Sequence, residues 1–154
     1  RIIDKTGPLN NYADRDHCIQ YMVAVPLIKG GLTADDYTDA GASDPRIDQL
    51  RSLTTVKENP RFSKEYLEAD KRFIGNSVQV FFKDGTSTEK VSIDAPIGHR
   101  LRRAEGMPVL VKKFEAAIAA KLSPKKCAVL NALCGDQARL EATPVNAFME
   151  LFAV

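Results

Sequence analysis

Residues 7–27 combine titratable side chains with an almost continuous apolar stretch, and they are the part of the sequence best suited to chemistry. His17 and Tyr21 are four residues apart, a spacing that places two side chains on one face of a helix. An imidazole can take or give a proton near neutral pH, and a phenol can protonate a departing hydroxyl. The pattern predicts an acid–base site on a buried helix. The structural alternative is a buried tyrosine and a histidine near the helix start, hydrogen-bonded to Asp14 or a carbonyl, while Arg15 and Asp16 form an ion pair.

A second candidate site follows Gly98 and contains four side chains that can carry positive charge: His99, Arg100, Arg102 and Arg103. The arginine fork matches the geometry of a carboxylate, so the run predicts substrate binding to an acid. The alternative is a solvated basic loop, or one neutralised by Glu105. Nucleic acid is not expected here, because no aromatic residues are interleaved and the net charge of the chain is only +2.

Length and composition indicate one soluble globular domain with a real core. The chain has 154 residues, of which 44% are hydrophobic and 27% are charged. No run of 18 apolar residues occurs, so we expect no membrane-spanning helix and no membrane partner. The start, Arg1-Ile2-Ile3-Asp4, is neither a signal peptide nor an initiator methionine, and we expect it to be a cut inside a longer chain.

The three cysteines, Cys18, Cys127 and Cys134, lie in apolar helical patterns. Their number is odd, and no two have the close spacing of a metal-ligand pair. The sequence therefore predicts three buried thiols in a reducing cytoplasm, with no metal and no cofactor.

Hydrophobic periodicity and capping residues predict the elements that would position these groups. A helix capped by Asp14 or Asp16 is expected to run to about residue 29. Helices are also expected over 34–39, 108–122 and 124–134, and further helices begin at Pro45 and Pro144. Strands are expected over 1–5, 54–58, 77–83 and 86–93, the last two joined by an Asp84-Gly85 hairpin turn. Residues 61–72 are expected to be a loop with one helical turn. The fold class predicted from this order is α+β, a small antiparallel sheet packed with helices and followed by C-terminal helices.

Five segments together resemble the C-terminal portion of the MmgE/PrpD family, in order and over essentially the whole chain: 7–27, 44–51, 82–86, 96–103 and 140–146. The first and fourth are long enough to be specific, whereas Asp-Gly in a hairpin alone would mean nothing. The resemblance implies an α/β lid domain over 1–107. It further implies that helices over 108–154 return to a large helical domain absent from this chain.

The resemblance also implies an activity. It is that of a cofactor-independent hydro-lyase converting 2-methylcitrate to 2-methyl-cis-aconitate in the methylcitrate cycle of propionate catabolism, without an iron–sulfur cluster. Tyr21 falls on a tyrosine that faces the active site in the family. His17 would transfer a proton or orient the Tyr21 side chain. His99, Arg100, Arg102 and Arg103 would attract the carboxylates of a small tricarboxylate substrate.

Further expectations follow from the same resemblance. The remaining catalytic residues would lie in the missing domain, so we expect the 154-residue chain alone to be inactive. The full-length enzyme is expected to be a homodimer in the cytoplasm, or in the mitochondrial matrix of a eukaryote. Two alternatives stay open: a cis-aconitate decarboxylase or iminodisuccinate epimerase of the same fold, and a non-catalytic α/β module that binds a partner through its apolar helical end.

Overall fold

The computed structural model describes residues 3–153, and the chain divides into two compact units between Asn59 and Pro60. Helices dominate both units, and the described residues contain one two-stranded antiparallel sheet, which confirms the predicted α+β class. The predicted change at residue 107, from a lid to helices that return to another domain, concerns a domain outside this chain and stays a prediction. None of the helices within 3–153 is long and apolar enough to cross a bilayer.

The described part of the first unit, residues 3–59, contains three α-helices and one short 3₁₀ turn. These are α1 (Tyr12–Asp16), α2 (Ile19–Lys29), the 3₁₀ turn (Ala34–Tyr37) and α3 (Pro45–Leu53). Helices α2 and α3 pack together, and the buried cluster between them consists of Cys18, Tyr21, Ala24, Val25 and Ile47. This cluster is the core that holds the first candidate site.

The helix predicted to run from a cap at Asp14 or Asp16 to about residue 29 begins only at Ile19, because the chain breaks at His17 and Cys18. His17 ends α1 with φ −108° and ψ 30°, and Cys18 is extended with φ −125° and ψ 108°. The amide of Ile19 then donates to the carbonyl of Ile3 over 2.8 Å, so a contact from outside the helix takes the donor that would have continued it. His17 and Tyr21 therefore belong to different elements, and the shared helical face predicted for them does not exist.

The end of α2 is as predicted, at Gly30. Gly30 has φ +79° and its amide donates to the carbonyl of Pro26 over 2.8 Å. We expect Gly30→Ala to cost about 1 kcal/mol in the free energy of unfolding, because a Cβ disfavours the left-handed region. Gly31→Ala is the matched control, since its φ is not positive and a Cβ there meets nothing within 4 Å. Melting temperatures check the pair, and equal shifts in both variants would contradict the prediction.

Three predictions for the remainder of the first unit are wrong, and one is confirmed. The structure has no strand at 54–58 or at 3–5, and residues 1–2 lie outside the described range. Leu53, expected to face inward, is 72% exposed. The capping box that opens the 3₁₀ turn is present, with Asp36 Oδ2 accepting from the amide and hydroxyl of Thr33 at 2.7 and 2.9 Å.

Within residues 60–153, the second unit contains a short hairpin, a 3₁₀ turn at Arg100–Arg102 and five helices. Its elements are α4 (Pro60–Leu67), β1 (Asn76–Val78), β2 (Val91–Ile93), α5 (Arg103–Ala119), α6 (Pro124–Cys134), α7 (Gln137–Ala142) and α8 (Val145–Glu150). Helix α6 is as predicted, with Ser123 as its N-cap. Helix α4 was expected to be mainly loop, and α7 was not predicted. Helix α5 begins at Arg103 rather than residue 108 and includes Pro108.

The hairpin is shorter than its alternating sequence predicts. The Asp84-Gly85 turn is confirmed, with Gly85 at φ +87°. Regular strand pairing covers 76–78 and 91–93, and an isolated antiparallel bridge joins Phe81 to Ser87 nearer the turn. Between them the Val80 amide bonds the side-chain hydroxyl of Thr88 at 3.1 Å, and the Val80 carbonyl accepts from the Thr88 amide at 2.9 Å. The apolar residues expected to face inward are exposed: Val78, Phe82, Val91 and Ile93.

Candidate functional site

Tyr21 lies in the core of the first unit, where 2% of its surface is exposed. Its hydroxyl donates a hydrogen bond to the carbonyl of Asp36, and its ring stacks on Tyr37 with centroids 5.9 Å apart. Burial raises the pKa of the Tyr21 phenol, which keeps its proton at neutral pH. The hydroxyl is therefore a proton donor that already has an acceptor. The predicted catalytic role of Tyr21 stays a prediction.

His17 is exposed over 58% of its side chain, and its Nδ1 contacts the carboxylate of Asp16. Because a carboxylate accepts, this contact places the proton on Nδ1 and leaves the lone pair of Nε2 outward. Nε2 has no hydrogen-bond partner within the described residues. The result is an imidazole oriented by an acid, with a free nitrogen for proton transfer. The predicted partner of His17, Asp14, is instead bound by Lys5 at 3.2 Å.

Arg15 is buried, contrary to the sequence pattern, with 9% of its side chain exposed. Its Nη1 donates to the carbonyl of Tyr37 and its Nη2 to Oδ1 of Asp39, each over 2.7 Å. The expected ion pair between Arg15 and Asp16 is wrong, since each has another partner. No local signal identified this arginine as buried, because its partners lie 22 and 24 residues further along the chain.

Asp36 connects Tyr21 to the 3₁₀ turn. Lys29 Nζ donates to Oδ1 of the Asp36 carboxylate over 2.7 Å. This contact and the hydrogen bonds from Thr33 lower the pKa of the Asp36 carboxyl to about 2. Asp36 is therefore ionised at neutral pH and has a structural role. Its carboxylate accepts a hydrogen bond from Lys29, and its backbone carbonyl accepts one from the Tyr21 hydroxyl.

A polar groove of about 340 Å³ lies on the first unit, lined by Asn10, Asn11, Tyr12, Arg15, Tyr37, Thr38 and Asp39. Its walls hold amide, hydroxyl and guanidinium donors and one carboxylate. The ring of Tyr12 lies 5.3 Å from that of Tyr37, which also contacts Tyr21. The groove therefore borders the same aromatic group that covers Tyr21.

His99 in the second unit serves as a structural cap in this structure. Its Nδ1 accepts from the amide of Leu101 over 3.3 Å, and its Nε2 lies 2.9 Å from the carbonyl of Lys71. A nitrogen facing a carbonyl must donate, so the ring is the neutral tautomer with the proton on Nε2. Both nitrogens are occupied. The predicted role of His99 in substrate binding stays a prediction.

The three arginines of the basic run have different surroundings. Arg100 donates to the carbonyl of Asp70. Arg102 donates to both carboxylate oxygens of Glu105, at 3.2 and 2.7 Å, and to the carbonyl of Ala95 at 2.8 Å. Arg103 is exposed and has no hydrogen bond or ion pair within the described part of the chain. Neutralisation by Glu105 thus applies to Arg102, while Arg103 is the member of this run best able to meet an anion.

The three cysteines are free thiols, but they are not all buried as predicted. Cys18 is fully buried, Cys127 is partly buried and Cys134 is exposed. Cys18 Sγ lies 3.4 Å from Oε1 of Gln20. Among residues 3–153, no three His, Cys, Asp or Glu side chains come together in a group that could hold a metal ion.

Comparison with known proteins gives matches over all or most of this chain. The family model for the MmgE/PrpD C-terminal domain matches residues 1–134. The 2-methylcitrate dehydratase of Cupriavidus necator is 52% identical over the whole chain, and that of Escherichia coli K12 is 48% identical over the same length. The mitochondrial 2-methylcitrate dehydratase of Yarrowia lipolytica is 64% identical over 74% of the chain.

These matches cover only part of each relative. The chain spans 32% of the length of the Cupriavidus and Escherichia proteins, and the matched segment spans 22% of the Yarrowia protein. About two thirds of the bacterial relatives therefore have no counterpart in this sequence.

Proposed function

Because this chain belongs to the MmgE/PrpD family, we propose that it is the C-terminal part of a hydro-lyase that dehydrates 2-methylcitrate to 2-methyl-cis-aconitate. The observation that carries the proposal is the identity of about one half to bacterial 2-methylcitrate dehydratases over all 154 residues. The family model, which matches residues 1–134, includes the segment that contains His17 and Tyr21. The reaction needs no cofactor in this proposal.

Dehydration of such an acid has three chemical requirements. A base must remove a proton from the carbon next to a carboxylate, an acid must protonate the departing hydroxyl, and cations must bind the carboxylates. The hydroxyl leaves as water with the proton of the acid, the proton from carbon passes to the base, and the electron pair of the broken carbon–hydrogen bond forms the carbon–carbon double bond. The residues of this chain are proposed to supply part of each requirement, and the absent portion of the protein to supply the rest.

His17 is proposed as the proton-transfer group of the first unit. Its support is the free Nε2 together with the Asp16 carboxylate that orients the ring. Tyr21 is proposed as the acid that protonates the departing hydroxyl, supported by its position in the segment that resembles the family and within the residues that the family model matches. For this role the Tyr21 hydroxyl must give up its hydrogen bond to the Asp36 carbonyl and donate to the departing hydroxyl of the substrate instead.

Arg103 is proposed to bind one carboxylate of the substrate. Its support is its exposure and its lack of a partner in the described residues, which distinguish it from Arg100 and Arg102. For Arg100, Arg102 and His99 a contribution to substrate binding stays part of the proposal, through the positive character of the loop. Their present contacts support a mainly structural role.

Replacing Arg103 by Gln in the full-length protein is expected to raise KM for 2-methylcitrate about tenfold, with kcat changed little. The reason is the loss of one charged hydrogen bond to a carboxylate, which contributes about 1.5–3 kcal/mol. Steady-state kinetics measure the change. Arg46→Gln is the matched control, since Arg46 is exposed and, among residues 3–153, pairs with Asp44 alone. An unchanged KM in Arg103→Gln would remove Arg103 from the site.

The proposed activity is tested with the full-length protein on 2-methylcitrate, by the absorbance of the unsaturated product. Parallel assays with cis-aconitate and iminodisuccinate distinguish the decarboxylase and epimerase alternatives. Turnover of 2-methylcitrate is the expected result, and turnover of another acid alone would replace the proposal. We also propose that the 154-residue chain is inactive by itself, and turnover by that chain would contradict this part.

The assembly and location of the enzyme belong to the same proposal. A homodimer is proposed, in the cytoplasm or, for a eukaryotic source, in the mitochondrial matrix. The name of the Yarrowia relative, a mitochondrial enzyme, supports the second location for a eukaryotic source only. Sedimentation of the full-length protein tests the dimer.

A further inference from the structure

The segment over residues 36–39 covers Tyr21, and it packs on the core of the first unit through the partly buried ring of Tyr37. The 3₁₀ turn at Ala34–Tyr37 contains no buried residue. Asp39, at its end, has a side chain that is 91% exposed. The position of this segment therefore depends on polar contacts as well as on the packing of Tyr37.

Two cations from the helices hold the segment. Lys29 binds the Asp36 carboxylate at 2.7 Å and the Gly41 carbonyl at 3.2 Å. Arg15, the buried cation, reaches both the Tyr37 carbonyl and the Asp39 carboxylate, so it holds one backbone and one side-chain atom. A guanidinium can hold two acceptors in fixed directions, which a single ammonium does less precisely.

The same segment determines the surroundings of the Tyr21 hydroxyl. Asp36 supplies the carbonyl that accepts from this hydroxyl, and Tyr37 supplies the ring stacked on Tyr21. A displacement of residues 36–39 would move the acceptor and the stacking ring at once. The Arg15 guanidinium is therefore connected to the Tyr21 hydroxyl through a few covalent bonds and two hydrogen bonds.

We propose that Arg15 is a positioning residue for Tyr21, which it orients by fixing residues 36–39 over the phenol. The proposal rests on the proposed function, in which Tyr21 donates a proton. Arg15 does not contact the substrate in this proposal. It acts through residues 36–39, which it holds in place. Residues 36–39 must be fixed well enough to orient the Tyr21 hydroxyl. Their contacts must also allow the hydroxyl to leave the Asp36 carbonyl when the substrate binds in its place.

The test is a double-mutant cycle in the full-length protein, with Arg15→Lys, Tyr21→Phe and the double variant. Arg15→Lys keeps the charge and loses the fork, so we expect kcat to fall about tenfold while KM stays within about twofold. In the Tyr21→Phe background the same change is expected to cost less than about twofold, because the group that it positions is gone. Equal losses in both backgrounds, or full activity of Tyr21→Phe, would overturn the proposal.

Hydrogen exchange over residues 33–41 provides a readout that does not depend on activity. Exchange is expected to accelerate in Arg15→Lys and in Tyr21→Phe, and in the double variant by less than the product of the two single effects. Gly41→Ala perturbs the segment without changing charge, since a Cβ there would lie 2.2 Å from the Asp35 carbonyl oxygen. It is expected to lower kcat as Arg15→Lys does.

Arg46→Gln is the control for loss of a cation in the same unit, and it is expected to leave exchange over 33–41 unchanged. If the full-length protein does not dehydrate 2-methylcitrate, the proposed function fails, and the exchange measurements still decide whether Arg15 and Tyr21 are coupled. Unchanged exchange in Arg15→Lys would overturn the positioning role in either case.

Discussion

Tyr21→Phe in the full-length protein is expected to lower kcat for 2-methylcitrate roughly a hundredfold, the scale of one acid–base group. The phenylalanine ring fills the same core position, so the fold is retained. The Asp36 carbonyl loses its donor, and this is expected to lower the free energy of unfolding by about 1–2 kcal/mol. Initial rates and a melting curve measure both effects on the same preparation.

The control for Tyr21→Phe is Tyr66→Phe, which removes a hydroxyl from an exposed tyrosine of α4. Its kcat is expected to stay within about twofold of the parent, as for most surface changes away from a site. If Tyr21→Phe turned over normally with its expected loss of stability, Tyr21 would be a core residue only. The contribution of this chain to the chemistry would then rest on His17 and the basic run.

His17→Asn is expected to lower kcat a hundredfold or more with an unchanged melting temperature, because the side chain is exposed and packs little. Its exposure provides a sharper test than the rate alone. Free imidazole should reach the vacated position and restore part of the activity of His17→Asn, whereas it should not restore Tyr21→Phe. Asp16→Asn is expected to have a smaller effect, about tenfold, because it removes the orienting acceptor and leaves the imidazole.

Either of two results would contradict the role of His17. One is normal turnover of His17→Asn, and the other is a low rate accompanied by a lower melting temperature that imidazole does not change. The second result would indicate that the contact between His17 and Asp16 serves only to end α1.

Local signals in the sequence predicted several elements correctly. The capping box at Thr33 and Asp36, the end of α2 at Gly30, the start of α3 at Pro45 and the turn at Asp84-Gly85 all depend on residues within four positions of one another. Each satisfies its own backbone groups locally. Such features do not depend on the rest of the chain, so sequence alone is sufficient for them.

The predictions that failed involve partners distant in sequence. The break at His17 and Cys18 depends on the carbonyl of Ile3, and the burial of Arg15 depends on Tyr37 and Asp39. The apolar pattern from Ile19 onward is typical of a helix. It does not show that the Ile19 amide donates to the distant carbonyl of Ile3, which is the contact that accompanies the break.

The candidate site shows the same division. The sequence by itself determined which groups with acid–base or carboxylate-binding chemistry are present, because side-chain type is written in the chain: His17, Tyr21 and the run from His99 to Arg103. Only the tertiary structure decided which of their atoms are free. In the folded chain both ring nitrogens of His99 have hydrogen-bond partners, and Arg102 is paired with Glu105. Nε2 of His17 and the guanidinium of Arg103 have no partners in the described residues. The physical reason is that a hydrogen-bond partner is selected by distance in space, which the local sequence pattern does not contain.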